Sequence, residues 1–225
     1  GTIELRSINR TVAILYYLDM KVKVIFLFEK RPIDLFLIYN KTTTMELAKT
    51  IHSKNEIIQS VQESFDKITV YVESTSDEIF IKKNKKLSVV ENLDYLIQST
   101  KPISLALQKI IVFLGFGISF RGSNKFETLR SNYLLKLSQE LAPVNGGNII
   151  SKNIKSNFKE KFLEIWNLIG GKFSKRIDQW SESSLDRFKL LHPLLGRLTL
   201  REMLFFTIFH NEHHLRAMKL LNESL

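Results

Sequence analysis

The segment after Thr199 constrains the fold more than any other, because apolar side chains cover most of the helix that it predicts. Thr199-Leu-Arg-Glu202 is a capping box, in which the hydroxyl accepts from a backbone N–H in the first turn and the glutamate reaches back. The apolar residues that follow are Leu200, Met203, Leu204, Phe205, Phe206, Ile208, Phe209, Leu215 and Met218. A helix that is apolar nearly all round is buried by neighbouring helices or shared with a second subunit.

Earlier segments repeat apolar residues at the helical period of about 3.6. They predict helices over Met45–Lys67, from the capping box at Ser88 onward, over Phe126–Leu141 and over Asn157–Ile177. Pro102 should kink or break the second of these. The face of the Asn157 helix that we expect to point inward contains Phe158, Phe162, Ile165, Trp166, Ile169 and Phe173. Gly170-Gly171 within it indicates a kink or a close helix crossing.

These patterns predict an all-α fold, since no convincing strand follows residue 44. Four long helices form a bundle, with one longer connection between the second and the third. Residues 45–225 make up this domain. Residues 1–44 differ from it and are either a β-hairpin or sequence upstream of a translation start at Met45, of which we favour the second.

Composition narrows the possible chemistry. The chain has no cysteine, which excludes disulfides, thiolate ligands and cysteine nucleophiles, and which fits a reducing, cytoplasmic location. No apolar run approaches the roughly 20 residues of a membrane span. The net charge of +10 would allow nucleic-acid binding. The lysines are scattered, however, so we favour an ordinary solvated surface.

Histidines are concentrated near the C-terminus. Of five in the chain, His192, His210, His213 and His214 lie there, and His52 is expected at the surface. Residues four apart share a helix face, so His210 and His214 can direct two imidazoles at one point, which is half of a metal site. The alternatives are a hydrogen-bonded polar cluster in the core or a wet cleft.

The run Ser88-Val-Val-Glu91-Asn-Leu-Asp-Tyr95, followed by His192-Pro-Leu-Leu-Gly196 and His210-x-x-His213-His214, resembles the DinB-like superfamily from about Met45 to the C-terminus. The resemblance implies a four-helix bundle in up-down-down-up order, often a homodimer. It also implies a divalent metal such as zinc or nickel, held by one histidine of the second helix and two of the last. Characterised members of the family include thiol-dependent S-transferases and a mycothiol-dependent isomerase, so a small thiol or another small-molecule ligand is the expected partner.

By that pattern His210 and His214 match the last-helix ligands, whereas Tyr95 stands where the family has its third histidine. A phenol ionises near pH 10, so tyrosine is a weaker ligand at neutral pH. Asp94 cannot replace it, because one residue turns about 100° around a helix. We expect further residues to line the site: Glu91, Ser99, Thr207, His213 and His192.

Two functions therefore remain open. One is a metal-dependent enzyme of thiol-transferase or hydrolase type with a site altered at Tyr95. The other is a non-catalytic helical scaffold, whose degenerate site binds a small ligand or a protein partner. His192 has its own alternative as a structural residue at the entrance of the last helix.

Overall fold

The computed structural model of the chain describes residues 53–82, 87–109, 117–139, 157–192 and 194–223. The expectations for residues 1–44 and for His52 fall outside these ranges. Within them, no helix combines the length and apolarity that crossing a membrane requires.

Seven helices and one hairpin make up the described part of the chain. In order they are α1 (Lys54–Ser74), α2 (Asp77–Ile81), α3 (Val89–Ala106), α4 (Phe126–Gln139), α5 (Phe158–Asp178), α6 (Glu182–Arg187), β1 (Lys189–His192), β2 (Gly196–Thr199) and α7 (Leu200–Glu223). Helices α1, α3, α5 and α7 form a four-helix bundle, as the sequence predicts. Both α1 and α3 pack against α5 and α7, and α4 packs against α7.

Side-chain contacts give the direction of α1 relative to α7. Ser64 of α1 accepts from Asn211, and Tyr71 donates to the Met218 carbonyl, so residue numbers rise together along the two helices. Helices α1 and α7 are therefore parallel.

The other two helices of the bundle run the opposite way. Asn92 of α3 contacts His214, while Ser99 contacts His210, so α3 is antiparallel to α7. Lys54 at the start of α1 reaches Asp178 at the end of α5, so α5 is antiparallel to α1. The order is thus up-down-down-up, and the long connection after the second bundle helix contains α4.

Capping residues set where two of these helices begin. Ser53 and Glu56 form a capping box, so α1 begins at Lys54 rather than at Met45, and it continues to Ser74 rather than Lys67. The predicted box at Ser88 is present and begins α3. Pro102 does not break α3, which continues to Ala106.

A close helix crossing explains Gly170. A Cβ at this position would lie 2.8 Å from the Phe65 ring of α1, whereas one at Gly171 would meet nothing within 4 Å. Phe65 in turn stacks on Trp166 at 4.3 Å between centroids. The prediction that Ile165 faces inward is wrong, since this residue is 44% exposed. Ile165 directly precedes the buried Trp166, and one residue turns about 100° around a helix, so Ile165 lies outside the buried stripe.

The prediction of no strand after residue 44 is also wrong. Strands β1 and β2 pair antiparallel, from Lys189 with Thr199 to His192 with Gly196. Gly196 has φ of +75°, a left-handed conformation that glycine adopts without strain. Each strand has four residues, too short for a clear alternating pattern.

Candidate functional site

An ion-paired cluster fixes the start of α7. Glu202 is fully buried and accepts two hydrogen bonds from Arg121, at 2.6 and 2.9 Å. The backbone and side-chain nitrogens of Asn124 donate to the same carboxylate, and Thr199 N–H donates to it in the predicted capping box. These hydrogen bonds outweigh desolvation and lower the pKa of Glu202.

A second ion-paired residue adjoins the first. Arg201 is 7% exposed and binds Asp186 and Glu182 of α6, each at 2.7 Å. We call the set Arg121, Glu182, Asp186, Arg201 and Glu202 the charged clamp. It holds α6 and the loop before α4 against the start of α7.

His214 is held in one tautomer by Asn92. The Asn92 side-chain nitrogen donates to the carbonyls of Leu87 and Ser88, which turns its oxygen toward the imidazole. That oxygen lies 2.9 Å from His214 Nδ1, so Nδ1 must carry the proton. The other ring nitrogen, Nε2, is then an acceptor, and it is buried without a hydrogen-bond partner among the described residues.

His210 lies between two hydroxyl groups. Its Nε2 is 3.4 Å from Ser99 Oγ, and its Nδ1 is 3.3 Å from the Tyr133 hydroxyl of α4. The Phe206 ring stacks on the imidazole at 4.8 Å between centroids. Both nitrogens of His210 therefore have partners, in contrast to His214.

Tyr95 lies against both imidazoles, as the sequence predicts. Its ring centroid is 4.9 Å from that of His214 and 5.7 Å from that of His210, and the two imidazole centroids are 4.7 Å apart. All three side chains are buried. Asp94 instead accepts from Gln98 on its own helix.

Burial keeps the histidines of the site neutral. Desolvation lowers the pKa of His210 and of His214 well below the usual value, with a smaller contribution from the neighbouring histidines. A neutral imidazole is the form that binds a metal ion. The arrangement thus presents two neutral imidazoles at neutral pH.

His213 points to the α4 side of α7. It lines a cavity of about 20 Å³, roughly the room for one water, together with Arg130, Tyr133 and Arg216. Desolvation and the two arginines lower its pKa to about 4. Its ring lies 5.7 Å from that of His214, so it adjoins the pair without facing the same point.

His192 lies one aromatic ring away from the pair. Its Nδ1 accepts from the backbone N–H groups of Leu194 and Leu195, and its ring packs on Phe206 at 4.2 Å. Desolvation lowers its pKa to about 3. These contacts are those of a residue that shapes the hairpin turn before α7.

The remaining predicted lining residues differ in their contacts. Ser99 contacts His210 directly. Glu91 caps α3 through Ser88, and Thr207 donates to the Met203 carbonyl within its own helix. These two hydrogen bonds are local to the helix of each residue.

Sequence reasoning did not identify Asn92 and Tyr133 as part of the site. Asn92 lies three residues before Tyr95, on the same helix face, so its spacing carried a usable signal. Tyr133 belongs to α4 in the long connection, and no spacing rule relates that helix to α7.

The available metal donors are few. Among the described residues, no group of three or more His, Cys, Asp or Glu side chains is arranged to hold a metal ion. A site here would rest on His210, His214 and the phenol of Tyr95. The buried, unpartnered Nε2 of His214 fits such an ion, because it presents a free lone pair where water does not reach.

Comparison with known proteins identifies the fold. The chain resembles the solved structure of YfiT from Bacillus subtilis, with a TM-score of 0.53 and 15% sequence identity, over 83% of this chain and 93% of that one. YfiT is described as "a probable metal-dependent hydrolase with an unusual four-helix bundle topology". No protein-family model matches the sequence, and a search of curated proteins finds no match either. At this identity the likeness shows the fold alone.

Proposed function

We propose that this protein binds one divalent metal ion between α3 and α7 and acts as a metal-dependent enzyme of the hydrolase type. The observation that carries the proposal is His214, which Asn92 holds with Nε2 buried, unprotonated and without a partner. An unsatisfied buried acceptor costs about 1–3 kcal/mol. His213 Nε2 is also buried without a described partner, and what distinguishes His214 is that Tyr95 and His210 lie against its ring. The YfiT description supports the same class of activity.

Three side chains would hold the ion. His214 and His210 would bind through imidazole nitrogens, and Tyr95, whose ring lies against both imidazoles, would bind through its phenol oxygen. Two nitrogens and one oxygen suit zinc or nickel. When bound, such an ion polarises a substrate and lowers the pKa of a water or a thiol.

The protein's own residues supply position and a dry environment. Asn92 fixes the tautomer of His214, and Phe206 fixes the plane of His210. Ser99 and Tyr133 place hydroxyl groups at the His210 ring. Burial of all these side chains strengthens the electrostatic interactions of any charge in the site.

Metal content tests this proposal. The full chain is purified without a histidine tag or chelator, exposed to zinc or nickel, washed and assayed for bound metal. We expect about one ion per chain, lost in His210→Ala and His214→Ala and kept in His52→Ala, which removes a histidine outside the described residues. Retention of the same metal content in both site variants would contradict the proposal.

A second candidate is a non-catalytic scaffold that binds a small ligand or a partner. It is favoured by His210, whose two nitrogens are both paired in the present arrangement, and by the tyrosine at the third-ligand position. Tyr95→His separates the two candidates. A wild type without bound metal, together with tight binding by the Tyr95→His variant, would indicate a site disabled at one ligand.

The oligomeric state of the protein and its location in the cell are the last parts of the proposal. We propose a homodimer and a cytoplasmic location, the second of which the cysteine-free composition supports. Light scattering at micromolar concentration tests the first, since a clean monomer would contradict it.

A further inference from the structure

The two imidazoles of the site differ in which nitrogen carries the proton. In His214 the proton is on Nδ1, because the Asn92 oxygen can only accept. In His210 the assignment depends on the hydroxyl groups at either end of its ring. Each hydroxyl has one proton to donate, so the contacts of Ser99 determine the answer.

The Ser99 hydroxyl donates its proton to a backbone carbonyl and not to His210. Its hydroxyl donates to the Leu96 carbonyl of its own helix at 3.1 Å, so its oxygen faces His210 as an acceptor. His210 Nε2 must then donate, and in a neutral ring Nδ1 is left to accept from the Tyr133 hydroxyl. The bonds run in one direction, from Tyr133 through His210 and Ser99 to Leu96.

We infer that Tyr133 and Ser99 are positioning residues that hold His210 protonated on Nε2, opposite to His214, and that metal binding requires His210 to exchange tautomer. Only the second half of this inference, the exchange of tautomer on metal binding, rests on the proposed function. A metal ion can occupy Nε2 only when the ring proton moves to Nδ1, where the Tyr133 oxygen becomes its acceptor. The proton count of the ring is unchanged, and the Tyr133 hydroxyl proton turns away from Nδ1.

This arrangement gives the two hydroxyl groups opposite effects on metal affinity. Ser99 stabilises the metal-free tautomer and competes with the ion for Nε2. Tyr133 is the described acceptor for the Nδ1 proton of the metal-bound tautomer, in the way that outer groups orient metal-binding histidines elsewhere. If the Ser99 and Tyr133 hydroxyl groups only filled space, removing either one would weaken zinc binding.

The tautomers are measured directly by long-range ¹H–¹⁵N NMR correlations on the full chain labelled with ¹⁵N-histidine, before and after zinc chloride is added. We expect His210 to carry its proton on Nε2 without zinc and on Nδ1 with zinc, and His214 to keep its proton on Nδ1 throughout. His210 protonated on Nδ1 in the metal-free protein would overturn the inference. Zinc bound at the site with His210 still protonated on Nε2 would overturn the exchange.

Variants then test the two hydroxyl groups by calorimetric titration with zinc. We expect Ser99→Ala to bind about fivefold more tightly, since one competing hydrogen bond is lost. Tyr133→Phe should bind about tenfold more weakly or worse. Ser104→Ala is the matched control on α3, because Ser104 is buried and bonds Arg176 away from the histidines; its affinity should not change. Weaker binding in both Ser99→Ala and Tyr133→Phe would overturn the inference.

The two proposals fail in distinguishable ways. If zinc does not bind at all, the proposed function fails, while the spectrum of the metal-free protein still decides whether Tyr133 and Ser99 set the tautomer. If Tyr133→Phe does not fold, the wild-type spectra and Ser99→Ala decide the question without it.

Discussion

Helix α7 contains two kinds of buried polar group, an ion-paired carboxylate at its start and neutral histidines near its middle. In the charged clamp, Glu202 is fully buried, yet both of its oxygens accept hydrogen bonds from Arg121 and neighbouring groups. Near the middle of the helix, two to four turns later, His210 and His214 are equally buried but neutral, and one nitrogen of His214 has no described partner. The difference is in line with the proposed function, in which the clamp stabilises the fold and the histidine pair binds an ion.

The largest expected difference between the histidines and the charged clamp is in how their contributions to folding stability depend on pH. Four described histidines have lowered pKa values, to about 3 for His192, to about 4 for His213 and well below normal for His210 and His214. The unfolded chain therefore binds more protons below pH 6.5, and stability falls as the pH drops toward the folded values. Each histidine that is neutral in the folded protein adds about 1.4 kcal/mol per pH unit to this loss once its unfolded form is protonated.

Denaturation in urea at pH 7, 6 and 5 measures this loss. The carboxylates of the clamp, with the pKa of Glu202 and Asp186 lowered, should contribute only at more acidic pH. His192→Asn keeps an acceptor for the turn but removes one titrating group, so it should flatten the dependence by about a quarter. A stability that is constant from pH 7 to 5 would contradict neutral burial of these histidines.

Glu202→Ala should have the next largest effect and should act on stability alone. It removes the acceptor of the Arg121, Asn124 and Thr199 donors, and we expect a loss of about 3 kcal/mol in the free energy of unfolding. Chemical denaturation measures it. Glu164→Ala, at an exposed position on α5, is the control and should change stability by less than about 0.5 kcal/mol. A loss of similar size in both variants would show that the clamp has no special role.

Asn92→Ala should act mainly on the histidine pair, by weakening metal binding. Without the Asn92 oxygen, His214 is free to change tautomer, and we expect zinc affinity to fall about 10- to 100-fold. Asn167→Ala is the matched control, because Asn167 is exposed and accepts from Thr69 far from the site. Unchanged affinity in Asn92→Ala would show that His214 does not depend on this hydrogen bond for metal binding.

The smallest expected change in stability comes from the crossing of α1 and α5, which lies outside both the charged clamp and the histidine pair. Gly170→Ala places a methyl group against Phe65 and should destabilise the protein by about 1 kcal/mol, because overpacking outweighs the gain in helix propensity. Gly171→Ala has open space and should stabilise it by about 0.5–1 kcal/mol. Thermal melting compares the two, and equal shifts of the same sign would contradict a close crossing. Neither variant should alter zinc affinity.

Much of the bundle could be predicted from the sequence because its signals are local. The capping boxes at Ser88 and Thr199 mark the starts of α3 and α7, and the apolar repeats mark their buried faces. The proximity of Tyr95 to His210 and His214 followed from the resemblance. The β1–β2 hairpin could not be predicted, since four-residue strands carry too little periodicity.

The polar partners of the site were harder to predict. Tyr133 reaches His210 only because α4 packs on α7, a contact between helices whose residues are 77 positions apart. The same holds for Arg121, which reaches Glu202 from a loop without a helical repeat. Such pairings depend on the path of the connection, which neither propensity nor periodicity specifies.

The location of the site residues in two short stretches of sequence has a consequence for how the site changes in evolution. Asn92, Tyr95 and Ser99 lie in one short stretch of sequence, and His210 and His214 lie in another. Because a tyrosine codon and a histidine codon differ by one nucleotide, one mutation at position 95 exchanges a phenol for an imidazole while the bundle around it stays the same. Under the proposed function, a single substitution can therefore change metal affinity within one gene lineage while the helices that hold the site are retained.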